Sequence, residues 1–298
     1  MTWYLYSWTF QLKSPLHIGF HKVMHLSMTR PYIPAKLIWA ALTAKLTPLF
    51  RINDYQAIGN LLKNSMRFGY LYPYVKNQLY LPKYTENGLA FGDLPKNEFE
   101  KNFISSTMSN AIESDSLSSE EGMLHEIEFI NPYKIDNKEK VFMKGLVWIK
   151  EFPENEINNV KMENNKLFVK YDGTRIDFGS SILSTIQVGG ERKYGFGLLE
   201  LKIIDKHRSL DIFPGEWFEK EDEVYLNLKK DMQIWSHALH TNNIDIKGNI
   251  EPIVGRDWSN KGPGRKLSAQ NGLYWSPGSI LNEDKTFKIN EFGLWTPQ

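Results

Sequence analysis

The residues best suited to chemistry lie in one glycine-rich stretch, QVGGERKYGFGLLEL, at positions 187–201. Its glycines, cations and aromatic residues are Gly189, Gly190, Arg192, Lys193, Tyr194, Gly195, Phe196 and Gly197. Glycine lets a backbone adopt positive φ and approach a ligand closely, and successive amides in such a turn form a concavity that binds anions. The cations add charge for a phosphate, and the rings offer faces for a base or an anchor in the core. The pattern fits a loop that contacts RNA or phosphate, and it fits a structural turn.

The order of elements around this loop separates it from two common nucleotide-binding loops. A Walker loop ends in Gly-Lys-Ser/Thr, and a Rossmann turn follows a strand and opens a helix. Here residues 177–186 are predicted to form a short amphipathic helix, with Ile182, Leu183 and Ile186 facing inward. The stretch LLELKII after the loop is predicted to form a strand. The order of helix, glycine loop and strand therefore indicates neither nucleotide-binding loop.

Three histidines, His17, His21 and His25, recur at four-residue spacing in an early segment. On a helix this spacing would align three imidazoles for a metal ion, but Pro15 and Gly19 interrupt any helix and no nearby carboxylate completes the ligand set. A single histidine could instead act as the general base of a metal-free RNA cleavage. The remaining interpretation is a polar loop that touches phosphate.

A second basic and aromatic segment, GRDWSNKGPGRKLSAQNG, lies near the end of the sequence. Its candidate contacts are Arg256, Trp258, Lys261, Arg265 and Lys266. Cations beside an aromatic ring in a flexible loop suit single-stranded nucleic acid. A solvated hairpin loop fits the same residues.

The elements that would position these residues are mostly strands. Alternation predicts strands at 4–12, 123–130, 141–151 and 198–204, a hairpin across 158–172, and further strands at 223–228, 232–236, 249–255, 272–280 and 286–290. Apolar spacing predicts a helix at 35–46 that Pro48 ends, another at 54–62 with Asn53 as N-cap, and a short one at 99–104. Residues 14–34 are predicted to form a loop, 66–91 extended segments and turns, and the Ser-rich acidic stretch 105–122 a disordered loop. This mixture predicts an α+β fold.

Composition limits the class of protein. The chain has 298 residues, which suggests two domains at about 150 residues each. It has no cysteine, which excludes disulfides, thiolate metal sites and a cysteine nucleophile. No apolar run reaches the ~18 residues of a membrane span, and the N-terminus lacks the features of a signal peptide, so a cytoplasmic location is expected. With a net charge of +1, nucleic-acid binding requires a local patch.

Three stretches together resemble the RAMP superfamily of CRISPR-associated proteins. SPLHIGF followed by RPYIPAKLIWAAL resembles the family's opening turn and proline-marked entry to the first helix. NAIESDSLSSEEGMLHEIEFI resembles a segment of type III members, and GGERKYGFG resembles the glycine-rich loop of the superfamily. The matches occur in the family's order over about the first two thirds of the chain.

The resemblance implies a ferredoxin-like (RRM-like) domain at 1–204 with a thumb-like insertion around 105–150, and a second, degenerate ferredoxin-like or β-rich domain at 205–298. It implies binding of guide CRISPR RNA within a multisubunit effector of antiviral defence. About a hundred residues follow the glycine loop, whereas this loop lies close to the C-terminus in the repeat-cleaving ribonucleases. The resemblance is therefore closest to the handle-binding (group five) subunit, which caps the 5′ handle, of type III or type III-derived complexes.

The expected protein is thus a non-catalytic RNA-binding subunit with no cofactor and no metal, partnered by guide RNA, by backbone RAMP subunits and by a large or nuclease subunit. The glycine loop, His17, Lys36 and the second basic segment are the expected RNA contacts. The alternative is a metal-independent endoribonuclease that processes precursor RNA, with His17 or His21 as the base.

Overall fold

The computed structural model describes residues 2–109, 125–153, 156–164, 166–177, 184–259 and 262–298. Most of the predicted Ser-rich loop, the middle of the helix predicted at 177–186, and Lys261 lie outside these ranges. The described residues form a mixed α+β fold in which strands predominate and three α-helices occur. The predicted fold class is confirmed at this level. No helix in the described ranges is long and apolar enough to cross a membrane.

The helices are α1 (Ala35–Leu49), α2 (Tyr55–Ser65) and α3 (Lys96–Phe103). The strands up to residue 130 are β1 (Trp3–Leu12), β2 (Gly19–Val23), β3 (Leu26–Thr29), β4 (Met66–Val75), β5 (Gln78–Leu79), β6 (Pro82–Thr85), β7 (Gly88–Phe91), β8 (Leu94–Pro95), β9 (Ile104–Ser109) and β10 (His125–Ile130). The next strands are β11 (Phe142–Lys150), β12 (Asn159–Glu163), β13 (Lys166–Tyr171), β14 (Thr174–Asp177), β15 (Thr185–Gln187) and β16 (Leu198–His207). The last strands are β17 (Glu216–Lys220), β18 (Glu223–Leu228), β19 (Ala238–Leu239), β20 (Ile246–Lys247), β21 (Ile250–Ser259), β22 (Gly262–Trp275), β23 (Ile280–Leu281), β24 (Lys285–Ile289) and β25 (Trp295–Pro297).

The central sheet has six strands in the order β15-β16-β1-β11-β4-β5, and all its pairs are antiparallel. Beside it lie a four-stranded sheet, β2-β3-β10-β9, and a three-stranded sheet, β12-β13-β14. The C-terminal residues form a seven-stranded sheet in the order β17-β18-β24-β25-β19-β22-β21. β16 continues past the predicted boundary at residue 204 to His207.

Apolar periodicity explains α1. Apolar spacing predicts an inward face of Leu37, Ile38, Ala41, Leu42 and Leu46. All of these are buried except Leu37, which is partly buried and packs against the core. Pro34 occupies the N-cap position, and Pro48 lies inside the last turn, so the helix runs slightly past its predicted end.

The prediction of Asn53 as the N-cap of α2 is wrong. That position belongs to Asp54, whose carboxylate accepts a hydrogen bond from the Ala57 amide at 2.9 Å.

Four other predictions of secondary structure are wrong. Residues 105–109, predicted to belong to a disordered loop, lie in β9, which pairs with β10. Residues 14–34 are not only a loop, because they contain the antiparallel hairpin β2–β3. The stretch 232–236 is not a strand, and only Gln233 makes a bridge there, to Ile280. The element that directly precedes the glycine loop is the strand β15 rather than the end of a helix, because Ile186 pairs with Leu199 of β16.

The C-terminal sheet is joined to the central sheet through aromatic residues. The rings of Trp148 on β11 and Trp235 stack with centroids 6.5 Å apart, and both side chains are fully buried. Tyr72 of β4 donates its hydroxyl proton to the carbonyl of Trp235. Much of the aromatic content of the chain therefore serves the core, as expected from its share in the sequence.

Candidate nucleic-acid interface

The glycine loop connects two neighbouring antiparallel strands, β15 and β16, at one edge of the central sheet. Its outermost part is a single 3₁₀ turn over Arg192–Tyr194, flanked by Glu191 at φ 52° and Gly195 at φ 85°. Gly189 and Gly197 also have positive φ, at 83° and 79°. The loop therefore reverses the chain with several left-handed residues, which explains its glycine content.

Three of the glycines are required by close contacts inside the protein. A Cβ on Gly189 would lie 2.3 Å from the carbonyl oxygen of His17, and one on Gly190 would lie 2.9 Å from the His17 ring. A Cβ on Gly197 would lie 1.8 Å from the carbonyl oxygen of Val188. Gly195 alone has open space around it. The glycine pair thus lets the loop approach the early SPLHIG turn.

The loop amides are largely used within the protein. The Gly190 amide donates to the carbonyl of His17 at 2.9 Å, and the Gly197 amide donates to the carbonyl of Pro15 at 2.7 Å. The amides of Tyr194 and Gly195 close the 3₁₀ turn. The expectation that the amide groups of this loop form a phosphate cradle is therefore wrong for these four donors. An RNA contact at the loop must come mainly from side chains.

The side chains at the tip of the loop point to solvent. Arg192, Lys193 and Tyr194 are exposed, and Tyr194 is 78% exposed. Neither cation makes an ion pair with a residue in the described ranges. Phe196 behaves differently, because it meets Phe129 of β10 edge-to-face with centroids 5.5 Å apart. Tyr194 therefore offers a free ring, and Phe196 anchors the loop.

A groove of about 240 Å³ separates this loop from α1. Ala41, Ala44 and Lys45 of α1 form one wall, and Arg192 and Gln187 belong to the other. Lys45 donates to the carbonyl and to the hydroxyl oxygen of Thr185 across the groove, and burial lowers the pKa of its ammonium group. Lys45 was not among the residues predicted from the sequence. The available signal was a lysine that follows Ala41 and Ala44 on a mostly apolar helix.

His17 lies behind the loop and not at its surface. It is 7% exposed, and its Nδ1–H donates to the carbonyl of Glu128 at 2.7 Å. His21 and His25 are exposed on the β2–β3 hairpin. No group of three metal-ligating side chains occurs among the residues that the structure describes. His17 therefore supports the contact between the two loops.

The second basic segment folds as the long hairpin β21–β22. Arg256, Arg265 and Lys266 are exposed on it, whereas the side chain of Trp258 and the whole of Lys261 lie outside the described part of the chain. Lys36, at the start of α1, pairs with Asp257 of the hairpin at 3.1 Å. Lys36 therefore belongs with the hairpin and not with the glycine loop.

The sequence-predicted contacts thus form two groups that α1 connects. Lys36 marks the hairpin end of the helix and Lys45 marks the glycine-loop end. Nine helical residues span about 13 Å at 1.5 Å per residue. One RNA strand running along α1 could therefore reach both the cations of the glycine loop and those of the hairpin.

A buried polar network fixes the base of the hairpin to the N-terminal part. Arg30 forms a bidentate ion pair with Glu251 of β21, with N–O distances of 2.9 and 2.6 Å. His237 Nε2 lies 2.8 Å from the same carboxylate, and the Tyr70 hydroxyl lies 2.7 Å from Nδ1 of His237. Burial lowers the pKa of His237, so the neutral ring donates to Glu251 and accepts from Tyr70.

Glu251 is ionised within this network. Burial opposes its ionisation, but the hydrogen bonds from His237 and Arg30 outweigh that effect and lower its pKa to about 2. The sequence alone does not predict this network, because its four residues are scattered between positions 30 and 251.

The comparisons with known proteins agree with this geometry. A model described as the RAMP superfamily matches residues 9–200, a range that includes the early turn, α1 and the glycine loop. No curated protein matches the sequence. Among solved structures, the chain is similar to one from a type III-B Cmr-beta complex bound to cognate target RNA and AMPPnP, with a TM-score of 0.53, 13% identity and coverage of 93% of this chain and 85% of that one. A second structure of Cmr-beta bound to cognate target RNA gives a TM-score of 0.51, 13% identity and coverage of 92% and 86%.

Proposed function

Because the chain belongs to the RAMP superfamily of CRISPR-associated proteins, we propose that it is a non-catalytic subunit of a CRISPR effector ribonucleoprotein and binds the guide RNA. One observation carries this proposal: an anchored loop presents Arg192, Lys193 and the free ring of Tyr194 to solvent. Cations and an exposed aromatic ring are the groups that hold single-stranded RNA through its phosphates and bases.

The position of the glycine loop supports a finer proposal, that this subunit caps the 5′ handle of the guide. About a hundred residues follow the loop, and they form the seven-stranded sheet and the long basic hairpin. The hairpin adds Arg256, Arg265 and Lys266 beyond the end of α1. This second group of cations would extend the RNA contact beyond the glycine loop.

We also propose that the first domain is ferredoxin-like. Its four long strands β1, β4, β11 and β16 follow the spatial order β16-β1-β11-β4 in the central sheet. In chain order this is 4-1-3-2, with α1 and α2 between the first two strands. We further propose that a second domain begins near residue 204. The proposed protein works in the cytoplasm beside backbone RAMP subunits.

The test measures binding of handle-bearing RNA by the double variant Arg192→Ala/Lys193→Ala. We expect the affinity to fall about tenfold at moderate salt, because two exposed charges that meet phosphates are lost. A matched control, Lys83→Ala/Lys247→Ala, removes two exposed lysines elsewhere and should leave the affinity within twofold. An unchanged affinity of the loop variant would overturn the site.

A second assay decides whether the subunit cuts RNA. The pure protein is incubated with repeat RNA in EDTA, and we expect no cleavage. The structure supports this expectation, since the His17 ring is buried and one of its nitrogens already donates to Glu128. Cleavage that Ala substitution of His17 or His21 abolishes would establish the endoribonuclease instead.

A further inference from the structure

The three-stranded sheet β12-β13-β14 has two faces of opposite character. Val160, Leu167 and Val169 alternate inward and are 1–2% exposed. The residues between them point away from the core, namely Asn159, Lys161, Glu163, Lys166, Phe168, Lys170, Arg175 and Asp177. We call these outward residues the small-sheet face. They share no residue with the groove beside the glycine loop.

Phe168 stands in the middle of the small-sheet face. It lies on the central strand, opposite Lys161 on one side and Asp177 on the other. The guanidinium of Arg175 lies over its ring, with Cζ 3.8 Å from the ring centroid. A groove of about 260 Å³ lies on this face, and Phe152 and Pro153 also line it. The groove therefore combines an apolar floor with a flat cationic group.

The charges that line this groove do not balance. Lys161, Lys170 and Arg175 face it, and Glu163 is its single carboxylate. Glu163 serves two of the cations, with Lys161 at 3.4 Å and Arg175 closer. Lys170 makes no ion pair with any residue in the described ranges. The groove therefore keeps an excess of positive charge around a half-buried aromatic ring.

Stacking planes beside an excess of cations favour a ligand with flat rings and phosphates. Bases stack both on phenylalanine rings and on guanidinium planes, and lysines on neighbouring strands meet the phosphates. An acidic peptide could pair with the lysines, but its carboxylates would make no stacking contact with the Phe168–Arg175 pair. We propose that the small-sheet face binds a second segment of single-stranded RNA, with a base against the Phe168–Arg175 pair and phosphates near Lys161 and Lys170. This site goes beyond the proposed function, because it depends neither on the glycine loop nor on a handle sequence.

The test measures the affinity of the full chain for a short labelled oligouridine by fluorescence anisotropy. We expect Lys161→Gln/Lys170→Gln to weaken binding at least about fivefold, and to reduce the slope of log affinity against log salt by about 0.7 for each lysine that contacts a phosphate. Phe168→Leu keeps the apolar bulk but removes the stacking face, and we expect a similar loss. Lys83→Gln/Lys247→Gln is the matched control and should bind as the unchanged protein does.

Two further measurements locate the contact. Oligouridine containing 4-thiouridine should crosslink to a peptide that includes Phe168, and the crosslink should persist in Arg192→Ala/Lys193→Ala. Unfolding midpoints of the charge variants should match the unchanged protein, so that weaker binding reports the contact and not the fold.

Each outcome decides between the proposals. Weaker oligouridine binding in the small-sheet variants, with unchanged oligouridine binding in the glycine-loop variant, would support this site, and binding of handle-bearing RNA by the glycine-loop variant tests the proposed function separately. Unchanged binding in the small-sheet variants, an absent crosslink, or competition by poly-glutamate but not by single-stranded RNA would overturn this site. Equal binding of double-stranded and single-stranded RNA would also overturn it, because paired bases cannot stack on the ring.

Discussion

The glycine loop and the β21–β22 hairpin share a composition of glycines, cations and an aromatic residue, yet they are built in opposite ways. The loop is held by backbone contacts, since Gly189 and Gly197 leave no room for a Cβ. The hairpin extends from the sheet through the pairing of β22 with β19, and side-chain charges fix its base to the N-terminal part, where Glu251 pairs with Arg30. Gly255 of the hairpin has nothing within 4 Å of a Cβ position. Composition alone therefore identifies a basic segment but not what fixes it.

The largest difference is expected in stability when one glycine of the loop and one glycine of the hairpin are each replaced by alanine. Gly197→Ala should destabilise the protein by about 3 kcal/mol or more, because the added Cβ meets the Val188 carbonyl and φ is 79°. Gly255→Ala should change the free energy of unfolding by less than about 0.5 kcal/mol. Chemical denaturation of both variants measures the difference. Similar losses in the two variants would contradict the contrast.

The ion pair between Glu251 and Arg30 at the base of the hairpin should make the free energy of unfolding depend on pH, whereas the backbone contacts of the glycine loop should not. Glu251 has a pKa of about 2 in the folded protein against an ordinary 4.5. Because the folded value is depressed, its contribution is fully present above pH 4.5 and is lost as pH falls toward 2.

Glu251→Gln should therefore cost about 2 kcal/mol at pH 7, an estimate that allows for partial solvent exposure, and should remove this part of the acid sensitivity. The measurement is the free energy of unfolding from pH 7 down to pH 3. An acid profile that remains as steep in Glu251→Gln would show that other carboxylates carry it. Gly197→Ala gives the contrasting case, because its loss should not depend on pH in this range.

The two aromatic residues of the glycine loop give the smallest and sharpest contrast. Phe196→Ala should lower stability by about 1 kcal/mol through loss of the edge-to-face contact with Phe129. Tyr194→Ala should leave stability unchanged, because the ring is 78% exposed, and should weaken guide-RNA binding about fivefold. Thermal unfolding and RNA titration of both variants separate the roles. A stable Phe196→Ala with an unstable Tyr194→Ala would reverse them.

The sequence predicts local features well where the residue pattern is periodic. The burial of Ile38, Ala41, Leu42 and Leu46 on α1 follows from 3.6-residue spacing, and β1 follows from alternation. The β2–β3 hairpin is missed because its outer strand is exposed throughout and has no buried alternation to detect.

The prediction for the residues before the glycine loop fails for a different reason. Ile186 fits a helical face by spacing, but its place in β15 depends on pairing with Leu199 beyond the loop. Similarly, the sequence predicts Arg192 and Lys193 as cations available to RNA. Nothing in the local sequence predicts that the amides of Gly190 and Gly197 bond to the carbonyls of His17 and Pro15. Contacts between distant parts of a chain decide both outcomes.

The anchoring of the glycine loop on the early turn also bears on how the chain acquires its proposed RNA surface. The bond from the Leu198 amide to the Ser14 hydroxyl joins residues 184 positions apart, and the neighbouring bonds to Pro15 and His17 are of similar reach. Contacts between such distant residues form late, because a long segment must lose its freedom before they stabilise anything. During synthesis, the early turn therefore lacks these contacts until the loop has left the ribosome. The proposed RNA contact at this surface therefore requires synthesis to have passed residue 198 of 298, so a fragment that ends before the loop should not bind guide RNA through it.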